Sequence, residues 1–245
     1  MDKLIQWPSA KYWDKAWNPI IGCKPCSPAC EHCYAAAWAK RFGQSFEPHE
    51  TKQRPPRKGV VFCGNITDLF GEWECSPERF LVDTVRKQNE TVATFLWLTK
   101  RVSRMCDAVC AMSLCADWRV RLNANHYFGF TAENQEWFEK RIEKCIDHPY
   151  GINMWLSLEP LLGPIELYPI IRDGSTWPFK WVVVGCESGP KRRPCKIEWV
   201  ESIVEQCMAA NVPVFVKQIS IGGRCVTDIN RFPAHLRIRQ VPWAK

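Results

Sequence analysis

Cys23, Cys26, Cys30 and Cys33 place four thiols within eleven residues, on a loop that runs from Gly22 to Tyr34. Cys26, Cys30 and Cys33 have C-x3-C-x2-C spacing, and Cys23 offers C-x6-C-x2-C with the same last two. Three thiolates on one tight loop suit a [4Fe–4S] cluster whose remaining iron is open to a cofactor. The same four residues also read as two C-x2-C pairs for zinc. Only three residues separate those pairs, however, and tetrahedral sites usually draw them from more distant chain. A metal-free group of thiols is the third reading. The spacing favours iron–sulfur.

An open iron suits the amino and carboxylate groups of S-adenosylmethionine, and polar residues at the ends of apolar runs supply its partners. Asn65, Thr67 or Asp68 would accept from the ammonium, and Lys100 or Arg101 would pair with the carboxylate. Thr131, Glu133 or Asn134 suit the ribose hydroxyls. Glu159, Glu187 and Lys217 are left for the substrate as catalytic candidates. For Glu159, followed by proline, a helix-cap or salt-bridge role is nearly as good a reading.

These residues need strands to carry them. Residues 59–64, 91–98, 126–130, 153–158, 180–185 and 212–216 are apolar runs, each ending in a polar tip. Between them lie helical patterns: Cys33 to Phe42, a segment starting at Ser76-Pro77 with Phe80, Leu81, Thr84 and Val85 inside, one with Met105, Val109, Met112 and Leu114, one with Trp137, Phe138, Ile142 and Cys145, and Lys196 to Ala210. Continuous apolar strands alternating with helices predict a parallel sheet in an α/β protein. The count and length suit a whole or partial (β/α) barrel, with an open doubly wound sheet as the alternative. The expectation is one domain over residues 1–245, with a packed N-terminal segment 1–19 and a packed tail 228–245.

Composition narrows the classes. The chain has 245 residues, 46% of them apolar and 12% aromatic, which predicts a folded globule. No run of about 18 apolar residues occurs and the start has no signal-peptide core, so a cytoplasmic protein with no membrane partner is expected. Fourteen cysteines in a chain this size do not require a disulfide scaffold, and those outside the loop read mostly as small buried hydrophobes. No G-x-G-x-x-G, no phosphate-loop motif and no H-E-x-x-H is present. Net charge is +7, with basic knots at Lys52–Lys58 and Lys191–Arg193 that could meet phosphates or stay solvated.

Several stretches carry a resemblance. They are Trp17–Cys23, Ser27-Pro28, Cys30-x2-Cys33-Tyr34-Ala35, Asp68-Leu69-Phe70, Leu98–Arg101, Ser157–Gly163, Val184-Gly185-x-Glu187-Ser188-Gly189 and Phe215-x-Lys217-Gln218. On these the chain resembles a phage- and bacterial-genome-associated family of three-cysteine proteins similar to radical S-adenosylmethionine enzymes. That family's pattern uses Cys23, Cys30 and Cys33, whereas radical enzymes generally match Cys26, Cys30 and Cys33, so both triads stay open. The pattern also has glycine where Cys186 stands. The resemblance implies a 5′-deoxyadenosyl radical, an external one-electron reductant, and a nucleobase, nucleotide or nucleic acid as substrate. The alternative is a zinc-stabilised nucleic-acid-binding protein without catalysis.

Overall fold

The computed structural model describes residues 5–73, 77–88, 91–113, 125–146, 152–167 and 178–243. In chain order the first elements are β1 (Ile5–Gln6), β2 (Lys15–Trp17), β3 (Ile20–Ile21), α1 (Tyr34–Arg41), β4 (His49–Glu50) and β5 (Val60–Cys63). Next come α2 (Pro77–Gln88), β6 (Thr94–Thr99), α3 (Val102–Ser113), β7 (His126–Thr131), α4 (Gln135–Ile146) and β8 (Asn153–Leu158). The chain closes with β9 (Phe179–Gly185), α5 (Ile197–Ala209), β10 (Val214–Ile221), β11 (Arg224–Val226) and β12 (Gln240–Val241).

This is an α/β fold with parallel and antiparallel strands flanked by helices, and it gathers into two compact units. The first comprises Met1–Tyr12, Thr131–Lys140 and Met154–Lys245; the second comprises Trp13–Phe130 and Arg141–Asn153. In the second unit β2, β5, β6 and β7 form a parallel ladder, Val61 lying beside Lys15 and Phe95, and Leu96 beside Tyr127. Every residue of β5 and β7 is buried, which is why these strands read as unbroken apolar runs. Trp97 is fully enclosed there, edge-on to Trp17 at 6.3 Å and stacked with Phe128 at 5.7 Å.

In the first unit β8, β9 and β10 run parallel, and β11 folds back antiparallel on β10. β1 pairs antiparallel with β12. Tyr12 is 1% exposed and meets the rings of Trp155, Trp181 and Phe215 edge-on at 6.0, 5.1 and 5.4 Å. Val200, Ile203, Val204 and Cys207 bury the inner face of α5, which packs on β9 and β10.

Some details differ from the sequence reading. Lys15–Trp17 is a strand, although its two exposed residues hide the pattern; only Trp17 is buried. Ile20-Ile21 pairs with His49-Glu50 in a separate two-stranded ribbon and not with the parallel ladder. β6 begins at Thr94, because Val92 is solvent-exposed. Ser76, Leu114, Cys115 and Asp173-Gly174 lie outside the described residues. Among the described residues no helix is long and apolar enough to cross a membrane.

Candidate functional site

The cysteine loop belongs to the second unit and is held by strand-end residues. Gly22 opens it with φ +92°, and a Cβ there would fall 2.4 Å from the Glu47 carbonyl oxygen, so no side chain fits. The Thr67 hydroxyl donates to the Gly22 carbonyl and the Tyr34 hydroxyl to that of Asn65. Arg101 reaches the loop through Nη2, 2.7 Å from the Lys24 carbonyl oxygen, and Nη1 lies 4.0 Å from the Cys23 sulfur.

Asp68 is the hub of this arrangement. Its Oδ1 accepts from the Thr99 hydroxyl (2.7 Å) and the Phe70 N–H (3.1 Å). Its Oδ2 accepts from the Lys100 N–H (3.0 Å) and Arg101 Nη1 (3.1 Å). Asp68 and Arg101, expected as groups for a ligand's two ends, thus satisfy each other. Within the loop the Cys26 thiol donates to the Cys30 sulfur, and this bond, with lesser help from Lys100, lowers the Cys30 thiol to about 4. Ser27 Oγ lies 3.9 Å from the Cys30 sulfur, and Cys33 occupies the position before α1.

The four thiols do not converge on one centre. Among the described residues no three His, Cys, Asp or Glu side chains are grouped to hold a metal ion. This overturns both the [4Fe–4S] and the zinc readings of Cys23, Cys26, Cys30 and Cys33. S-adenosylmethionine as cofactor falls with the cluster that was to anchor it, and so do the roles given to Asn65, Thr67, Asp68, Lys100, Arg101, Thr131, Glu133 and Asn134 toward that cofactor.

A cleft of about 830 Å³ also lies in the second unit, lined in part by Trp17, Phe80, Arg54, Arg57 and Arg79. Trp17 and Phe80 are stacked, 13° apart in plane and 6.4 Å between centroids. Glu50 and Asp83 share the lining with the three arginines. The basic segment is pinned along its length. Thr51 donates from its N–H to the Pro19 carbonyl (2.7 Å) and from its hydroxyl to that of Asn18 (2.8 Å). The Gln53 carbonyl accepts from the Trp17 indole (3.1 Å), and the Arg57 carbonyl accepts from the Val92 N–H (3.3 Å). Sequence reading found Arg54 and Arg57 but missed Arg79, whose only signal was its place beside Phe80 at the start of α2.

The remaining candidates belong to the first unit. Lys217 Nζ lies 2.8 Å from Glu159 Oε1, an ion pair set off the hydrogen-bond direction. Tyr12 and Ser157 hydroxyls each donate to Glu159 Oε2 at 3.4 Å. Glu187 accepts from the Arg193 backbone N–H (2.7 Å) and Nε (3.0 Å). Asn134 caps α4, its Oδ1 accepting from the Trp137 N–H at 3.1 Å. Thr131 and Glu133 are buried. Glu159 and Lys217 therefore meet each other, while Glu187 is held by Arg193. Replacing Lys217 with Met should lower stability by about 1–3 kcal/mol, because a mostly buried carboxylate keeps only weaker neutral donors. Urea unfolding of the variant beside wild type checks this.

The fold and these sites define an α/β protein with an arginine-lined cleft and separate, largely buried ion pairs. The chain belongs to the DUF5131 family, whose model matches residues 8–231 and is described as a protein of unknown function. This replaces the radical S-adenosylmethionine resemblance: membership carries no radical chemistry, and with no metal grouping among the described residues the enzymatic assignment is withdrawn. No curated protein and no solved structure matches the chain.

Proposed function

We propose that the protein binds a nucleotide in the cleft of the second unit. The observation that carries this is three arginines, Arg54, Arg57 and Arg79, around a cleft whose lining includes Phe80 and part of Trp17. Guanidinium forks match phosphate oxygens two at a time, and the partly exposed Phe80 ring gives a planar base a face to stack on. Glu50 and Asp83 in the same lining can accept from ribose hydroxyls or a base amine. A volume of about 830 Å³ is in the range of small-molecule sites. Bonds at Thr51, Gln53 and Arg57 hold the backbone that carries Arg54 and Arg57, which limits the backbone ordering cost of binding.

Isothermal titration with nucleoside mono-, di- and triphosphates, beside inorganic phosphate, tests the reading. Binding should tighten with phosphate number, and Arg54→Ala and Arg57→Ala should each weaken it about tenfold. Heats no larger than those of inorganic phosphate, or variants that bind as well as wild type, would overturn it.

The finer architecture and setting belong to the same proposal. Successive strand–helix steps with parallel neighbours support a whole or partial (β/α) barrel. Free thiols at the described cysteines support a reducing, cytoplasmic setting.

A further inference from the structure

We propose that the outer face of α1 is a stacking surface for single-stranded nucleic acid, an interaction beyond the nucleotide cleft. The helix is built the wrong way round for a purely structural element. Ala35 and Ala39 face the interior at 4% exposure each, while Tyr34, Trp38 and Phe42 stand in solvent at 57, 48 and 57%. Folding driven by apolar burial would place the rings inside and the alanines out. Spacing of i, i+4 and i+8 puts the three rings in one strip, rising about 6 Å per step. A contiguous exposed aromatic strip of this kind marks an interaction site.

The strip is rigid. Trp38 and Phe42 touch at 5.0 Å between centroids, and the Tyr34 hydroxyl is tied to the Asn65 carbonyl. Gly43 ends the helix at φ +64°, with Gly43 N–H donating to Lys40 (3.2 Å) and Gln44 N–H to Ala39 (2.9 Å). This double closure fixes the turn that carries Phe42.

Charge selects the occupant. α1 carries Lys40 and Arg41 and no acid, and the Arg41 guanidinium lies 5.8 Å from the Phe42 ring. An apolar groove on a partner protein would take the rings but has no need of the cations. A nucleic-acid duplex offers phosphates but keeps its base faces stacked inside. A single strand presents both open π-faces and phosphates, and the chain's net charge of +7 favours its approach.

The test is fluorescence anisotropy of a labelled oligothymidylate about a dozen nucleotides long, titrated with the full chain. Trp38→Ala and Phe42→Ala should each weaken binding about tenfold, and affinity should fall with added salt. Met208→Ala, which removes an exposed apolar side chain of α5, should leave it unchanged. Because Trp38 and Phe42 are exposed, their variants should keep the wild-type melting midpoint. Equal affinity of wild type and both ring variants would overturn the proposal. So would absence of oligonucleotide binding together with a dimer, seen by sedimentation, that Trp38→Ala dissociates; the strip would then belong to a second copy. Failure of mononucleotides to bind, with oligonucleotide binding still lost in Trp38→Ala, would sink the cleft reading and leave this one standing.

Discussion

Replacing Asp68 with Ala should destabilise the protein by about 3–5 kcal/mol, the range seen when one partner of a buried ion pair is removed. The side chain is only 10% exposed and its two oxygens accept four hydrogen bonds. Its loss strands the buried Thr99 hydroxyl, two backbone N–H groups and Nη1 of Arg101, a side chain itself only 12% exposed. Asn is no rescue, because its amide nitrogen would face donors where Oδ2 now accepts. The melting midpoint should fall by roughly 10 °C. A second readout follows from Arg101, which also holds the Lys24 carbonyl. With that clamp released, Cys30 should react faster with iodoacetamide in protein that is still folded. A midpoint within about a degree of wild type would mean that water replaces the carboxylate, against the burial described here.

His126 sets the second large effect, on acid stability. Its ring is 2% exposed, stacked on Phe95 at 5.2 Å, and its Nδ1 accepts from the Trp97 indole at 3.2 Å. Burial lowers its pKa to about 3, against about 6.5 in an unfolded chain. Between those values the unfolded state binds the proton and the folded state does not. The contribution is therefore fully present above about pH 6.5 and is lost as pH falls toward 3, at roughly 1.4 kcal/mol per unit. His126→Gln keeps an acceptor for Trp97 and removes the titration. Urea midpoints measured from pH 7 to pH 4.5 should fall more steeply for wild type than for the variant. Parallel pH curves would show that the imidazole is protonated in the folded protein.

The parallel ladders were legible because β5, β7 and β9 are buried on nearly all sides, and that leaves a continuous apolar run in the sequence. β2 was not legible: three residues with one buried side chain carry no period. α1 was located correctly, but its orientation was not legible. Tyr34 and Trp38 look like a core stripe in sequence, and only three-dimensional packing reveals that Ala35 and Ala39 occupy the interior. At the loop, spacing alone suggested three thiols aimed at one centre, Cys30 and Cys33 with either Cys23 or Cys26. What it could not carry was the competition from nearer partners, Cys26 for Cys30 and Arg101 for Cys23. Lys217 and Gln218, expected at a strand tip, lie inside β10, and the sequence could not show that Asp68 would find Arg101, Glu159 find Lys217 and Glu187 find Arg193. Arg79 escaped for the opposite reason, since one arginine on the first turn of a helix has no signature until the loop opposite it is known.

The way the two units share the chain has a consequence for synthesis on the ribosome. The second unit is finished by Asn153, so its ladder from β2 to β7 can close before β9, β10 and β12 have been made. At ordinary elongation rates the 62 residues from Asn153 to Phe215 take roughly 3–12 s, ample for a domain to fold. The first unit has no such freedom. Tyr12 emerges early, yet its ring partners Trp155, Trp181 and Phe215 come late, and β1 must wait for β12 near the very end. The ring of Tyr12 thus stays without these partners until Phe215 has been made.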